Sequence, residues 1–161
     1  MTTLSGKVEA VAQKLGELRT LCDTGFALAI HIRYTRPTLL FQTYERAWAD
    51  TYSEKGYMLS DPVVHWGLTN TGWVEWASLT DRDPQGVIAD AVAHGLTNGW
   101  TYAVGPVSSR TIAGLTRSGP AFSAAERGVI GAMIDDIHAE TDGFEAFPQV
   151  QQDKLRNLTA A

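Results

Sequence analysis

Cysteine is almost missing from this chain: Cys22 is the one thiol in 161 residues. An internal disulfide is therefore excluded, and a reducing compartment suits the composition. No apolar run approaches the ~20 residues that span a bilayer. The N-terminus, MTTLSGKVEA, is too polar for a secretory signal. The cytoplasm is the expected location, with no membrane partner. Basic residues are also few, 13 Lys and Arg against 18 Asp and Glu, for a net charge of −5. They form no patch able to grip a phosphate backbone, so this chain alone should not bind nucleic acid strongly. His31, His65, His94 and His138 lie far apart on separate elements, and none has metal-ligand spacing to another His, Cys or carboxylate. A nucleophile elbow, a phosphate-binding glycine loop and a dinucleotide fingerprint are all absent. The reading is a protein that is not an enzyme and carries no cofactor.

Aromatic residues are what the chain does have. Four of its five tryptophans, Trp48, Trp66, Trp73 and Trp76, fall close together in the sequence. That concentration points to a pocket or an interface rather than an evenly filled core. The centre of interest is YERAWADTYSEKGYMLSD (44–61). Tyr44, Trp48 and Tyr52 recur every fourth residue, which predicts a helix over 44–55 with three rings on one side. Gly56 stops it and Tyr57 follows. Asp61 precedes Pro62 and Val63-Val64, the signature of a helix start. Two readings stand open on the pattern alone. One is an amphipathic helix packed on a core, with Asp61 serving as an N-cap. The other is the wall of a small-molecule pocket, since Tyr and Trp bring polar tips on apolar bodies beside a carboxylate acceptor.

Along the chain, Ser5 is expected to cap a helix reaching about Asp23, with Val8, Val11, Leu15, Leu18 and Cys22 on one face. FALAIHIRY (26–34) alternates as a strand, with Phe26, Leu28, Ile30 and Ile32 on one side. TRPT (35–38) is turn chemistry and LLFQT (39–43) a second, hairpin-paired strand. A short helix is expected from Pro62 to about Asn70, then a strand at WVEW (73–76). Asp83-Pro84 opens a helix of about 14 residues. WTYAVGPV (100–107) and TIAGLTR (111–117) form another hairpin, and Ser123 with Glu126 has the spacing of a capping box before the last long helix. The pattern predicts an α/β fold: a mostly antiparallel five-stranded sheet flanked by helices on both faces, an α-β-α sandwich. Residues 1–145 read as this domain. Residues 142–152 lose periodicity and read as a linker, and Leu158-Thr159 reads as the opening of a further helix.

Tyr44, Trp48 and Tyr52 at intervals of four, the segment Gly56-Tyr57-Met58-Leu59-Ser60-Asp61-Pro62, Trp76, Gly99-Trp100-Thr101 and Gly114-Leu115-Thr116 together resemble the autoinducer-binding domain of LuxR-type quorum-sensing regulators. The resemblance covers nearly the whole chain, from about residue 5 to 145. It implies a ligand, an N-acyl homoserine lactone. Trp48 would donate its indole N–H to the lactone carbonyl, and Asp61 would accept from the amide N–H. The hydroxyls of Tyr44 and Thr116 would meet the amide carbonyl. Tyr52, Tyr57, Val64, Trp76 and Thr101 would complete the walls of the ring and acyl channel. It also implies a homodimer, and DNA binding through a C-terminal helix-turn-helix domain of which residues 146–161 are the linker and first residues. The alternative is a natural single-domain relative that forms heterodimers with full-length regulators and disables them.

Overall fold

Two alternating segments near the N-terminus, Phe26–Arg33 (β1) and Arg36–Gln42 (β2), fold back on each other, with Leu28 opposite Phe41 and Ile30 opposite Leu39. In the computed structural model, which describes residues 3–158, this hairpin forms one edge of a five-stranded sheet. The other strands are Gly72–Glu75 (β3), Trp100–Val104 (β4) and Arg110–Leu115 (β5), in the order β2-β1-β5-β4-β3. Every pairing is antiparallel. The sheet places β5 at its centre, where it pairs with a strand far earlier in the chain, Ala27 against Gly114.

One face carries the main core. Leu4–Leu21 (α1) and Ala124–Glu140 (α5) pack there, with Val11, Leu15, Leu18, Ile130, Ile134 and Ile137 against Phe26, Leu28, Ile30, Trp100 and Leu115. Thr3, rather than Ser5, supplies the cap of α1 by accepting from the Gly6 N–H at 3.0 Å. The capping box of α5 is as expected: Ser123 Oγ accepts from the Glu126 N–H, and Glu126 Oε1 accepts from the Ser123 N–H. Burial pushes the Cys22 thiol up to about 12, so it behaves as a small apolar core group. Residues 149–156, partly read as linker, form α6 (Gln149–Arg156), and Leu155 is buried in this same core. Val150 and Leu155, five positions apart in an otherwise polar octamer, leave no helical periodicity to read. The helix start read at Leu158-Thr159 runs beyond the described residues at Thr159.

The opposite face holds Arg46–Glu54 (α2), Pro62–Thr69 (α3) and Val87–Ala93 (α4) over a second apolar cluster. The helix predicted from Tyr44 begins two residues later, at Arg46, so Tyr44 reaches the cluster from the connection after β2. The helix predicted from Asp83 is shorter at its start, because Gly86 takes a left-handed φ of 69°. Asp83 still caps it at a distance, with its two carboxylate oxygens accepting from the Val87 and Ile88 N–H groups, each at 2.8 Å. No helix among the described residues is long and apolar enough to cross a membrane.

The expected alternation of β1 fails at one place. His31 has a φ of 48° and marks an irregularity in the pairing with β5. Beyond it Ile32 turns to the α3 side, beside Ala103 and Ile112, and not to the side of Ile30. A bulge inserts one residue and so flips every later side chain. His31 is buried and stacks on His138 of α5, with ring centroids 4.2 Å apart. Thr111 Oγ1 accepts from the His31 backbone N–H at 3.1 Å and shares a second hydrogen bond with His138 Nδ1 at 2.6 Å. His31 Nε2 donates to the His138 carbonyl at 2.8 Å, because a carbonyl only accepts, and its Nδ1 lies within hydrogen-bond reach of Ser109 Oγ at 2.7 Å. Burial first, then the facing His31, lowers the His138 pKa, partly offset by Asp142 and Asp135. A depressed imidazole pKa means that the unfolded chain binds the proton more readily. This contribution to stability is complete above the ordinary imidazole value of about 6.5 and is lost as pH falls below it. Chemical denaturation at pH 7 and pH 5 should therefore show an acid-side loss of stability in the wild type that is smaller in His138→Gln.

Candidate functional site

The second face builds its cluster around Trp48. Its ring lies 5.8 Å from that of Tyr52, 6.0 Å from that of Tyr57 and 5.1 Å from that of His94. Tyr52 and Tyr57 meet edge to face at 6.0 Å. Trp76, Leu79, Ile88, Ala91 and Leu96 extend the apolar side, and Tyr44 packs against it. The indole N–H of Trp48 makes no hydrogen bond among the described residues, and although the ring is buried this nitrogen keeps some accessible area.

Asp61 sits at the polar end, 7 % exposed. Its Oδ1 accepts from the Val63 N–H at 2.9 Å and so caps α3, while Oδ2 accepts from the Tyr52 hydroxyl at 2.8 Å. Burial raises its pKa, and the Tyr52 and Val63 bonds pull it back. Cap and site carboxylate are therefore one group. Each carboxylate oxygen has more than one lone-pair position, so a further donor can still be accepted. Burial also raises the pKa of Tyr44 and of Tyr52, with Asp61 adding to both, so both phenols stay protonated donors.

The floor is made by glycines and threonines of the sheet. The Trp76 indole N–H donates to Thr101 Oγ1 at 2.8 Å, which fixes the ring flat over Gly99. A Cβ on Gly99 would come within 2.2 Å of that ring. A Cβ on Gly114 would lie 3.2 Å from the Tyr44 hydroxyl and 3.4 Å from Trp76. Tyr44 donates to the Gly114 carbonyl over 3.3 Å, a long bond that is readily redirected. Thr116 is more committed: it is fully buried, donates to the Gly25 carbonyl and accepts from Thr24, both at 2.8 Å. A ligand carbonyl at Thr116 would have to replace the bond to Gly25.

Of the residues singled out from sequence, Tyr44, Trp48, Tyr52, Tyr57, Asp61 and Trp76 come together here, and Thr101 holds Trp76. Val64 is half-buried and lies outside the cluster, where Val63 takes the place expected for it. One turn of helix separates Val63 from Gly67, and a Cβ on Gly67 would strike Ile112 of β5 at 2.7 Å. That contact identifies the sheet-facing side of α3, on which Val63 lies, and no sequence signal distinguishes it from Val64. Asp90 was also missed. It accepts from the Tyr57 hydroxyl at 2.6 Å and from Lys55 at 3.1 Å, tying α4 to the end of α2. Of the other tryptophans, Trp66 is half-buried between two clusters, and Trp73 is exposed beneath Arg127, 4.1 Å from ring to guanidinium. Trp100 is buried on the other face against Phe122.

Residues 19–140, more than half of the chain, match the family described as the autoinducer binding domain. The chain belongs to that family. Among curated relatives it is similar to the transcriptional activator protein VanR of Vibrio anguillarum, 29 % identical over 72 residues, which is 44 % of this chain and 30 % of VanR. Solved structures with the same fold include SdiA of Escherichia coli, at a TM-score of 0.62 and 20 % identity over 92 % of this chain and 66 % of that one. Another is CepR2 of Burkholderia cenocepacia, a LuxR family transcription factor, at 0.60 and 15 % over 89 % and 95 %. The chain thus spans under a third of VanR and about two thirds of SdiA. It is an autoinducer-binding domain of the LuxR type, and its sandwich is the fold expected of one.

Two measurements probe this geometry. Tyr52→Phe removes a donor from a buried carboxylate, so the Asp61 pKa should rise further; carbon-detected NMR titration of the side-chain carboxyl would read it. Gly99→Ala drives a methyl into the Trp76 ring and should cost about 1–3 kcal/mol in urea unfolding, the usual range for overpacking, while weakening binding of any ligand that rests on Trp76.

Proposed function

We propose that this chain is the sensing domain of a quorum-sensing regulator and binds an N-acyl homoserine lactone in the Trp48–Asp61 cluster. The observation that carries the reading is the pairing of an unmatched indole donor with a buried carboxylate acceptor across one apolar cluster. A neutral acylated amide offers the complementary set. Trp48 donates to the lactone carbonyl, Asp61 accepts from the amide N–H, and Tyr44 turns its long bond from Gly114 to the amide carbonyl. Tyr52, Tyr57 and Trp76 enclose the ring and the first carbons of the acyl chain. Each unmet polar group of a buried amide costs roughly 1–3 kcal/mol, so the head is selected by hydrogen bonds. Each buried methylene contributes about 0.8 kcal/mol, so apolar volume grades the tail. No cofactor takes part.

In the full regulator, occupancy stabilises the folded domain by mass action, favours the homodimer and thereby licenses DNA binding by a C-terminal domain. The setting for this is cytoplasmic. A panel of lactones of graded acyl length should raise the melting temperature of the wild-type domain. Asp61→Asn and Trp48→Phe should each lose most of that rise; a full melting shift retained in either variant refutes the assigned contacts.

A further inference from the structure

A cavity of about 330 Å³ lies beside the Trp48–Asp61 cluster, on the far side of Trp76. Its walls are Trp76, Ile88, Val92, Leu96, Trp100 and Phe122. Neither Trp48 nor Asp61 lines it. The volume is at the lower end of small-molecule pockets, enough for one ring and a short chain. Thr101 pins Trp76 by its indole N–H, so the ring stands as a fixed wall between this cavity and that cluster.

The polar groups here differ in sign from those of the first site. Arg127 lines the cavity, and its guanidinium is held in place by Trp73 and by the Phe122 carbonyl, to which Nη1 donates at 2.7 Å. Some arginines of the fold have acid partners, such as Arg117 with Glu126 and Arg33 with Glu145. Arg127 has no carboxylate within ion-pair distance among the described residues. The one acid lining the cavity is Glu75, which is exposed to solvent and therefore screened. In the same wall, Trp100 contributes an apolar ring, its indole N–H being buried away from the cavity space. We propose that this cavity is a second small-molecule site, separate from the Asp61 site, which takes an apolar monocarboxylate with its charge at Arg127 and its ring or chain among Trp76, Trp100 and Phe122. An oriented guanidinium beside an apolar enclosure favours a carboxylate over a neutral or cationic head.

The test is titration calorimetry with 4-phenylbutanoate, using 4-phenylbutan-1-ol and 4-phenylbutylammonium as matched probes of the head group. The acid should bind the wild type at least about tenfold more tightly than the alcohol, in line with a hydrogen bond to a charged group. The ammonium should not bind. Arg127→Gln should remove that preference, Arg127→Lys should keep most of it, and Glu75→Gln, which removes a screened charge, should leave the acid's affinity nearly unchanged. Val92 is about half exposed at this cavity, so Val92→Trp fills it without opening the core and should abolish binding. Asp61→Asn should leave the acid's affinity unchanged, which separates this site from the lactone site. The proposal is overturned if the acid does not bind at millimolar concentration, if acid and alcohol bind alike, or if binding survives Val92→Trp but is lost in Asp61→Asn.

Discussion

A buried carboxylate has to be answered by donors, and Asp61 is the point where this requirement organises the second face of the sheet. Its desolvation would be costly alone. The α3 amide and the Tyr52 hydroxyl offset that cost, and in doing so they fix the start of one helix against the last turn of another. The ring cluster follows from this. Tyr52 is held at its tip, Trp48 packs on its side, and Tyr57 closes the third edge while Asp90 secures its hydroxyl. A group that serves first as a helix cap sits in apolar surroundings, and its donors leave lone pairs over; the proposed lactone contact draws on these.

The sheet gives the two faces different tasks through small residues. On β5 the even positions, Ile112 and Gly114, look toward α3 and the ring cluster, while Ala113 and Leu115 belong to the main core. Gly99 and Gly114 have no side chain where Trp76 and Tyr44 approach, so large rings lie directly on backbone. A rigid floor of this kind lets the polar tips be placed accurately, since the rings cannot sink or tilt.

Much of this was legible from sequence, and the parts that were not have identifiable causes. The hairpins, the capping box and the helix starts follow from local turn and cap chemistry. The ring spacing also led to the right cluster, although Tyr44 enters it from a turn rather than from the helix. What sequence could not show is where regularity is broken. The bulge at His31 depends on a buried pairing with Ser109, Thr111 and His138, all distant in the chain. The short α4 and the polar α6 depend on a left-handed glycine and on one leucine that docks in the core. Val63 and Val64 are neighbours of the same type, and only the packing of Gly67 on Ile112 tells them apart. The strand order needed tertiary information throughout, because no local signal states that β1 pairs with β5.

That last pairing bears on how the protein is made. Strand β1 leaves the ribosome early, but its second neighbour, Arg110–Leu115, is synthesised about 80 residues later. Until then Phe26, Leu28 and Ile30 have only the β2 hairpin and α1 for cover, and the central ladder of hydrogen bonds does not exist. Closing so long a loop is slow relative to forming local hairpins and helices. The nascent chain therefore passes through an interval with half a sheet and an unmatched strand edge, the state most open to chaperones, proteases and mispairing.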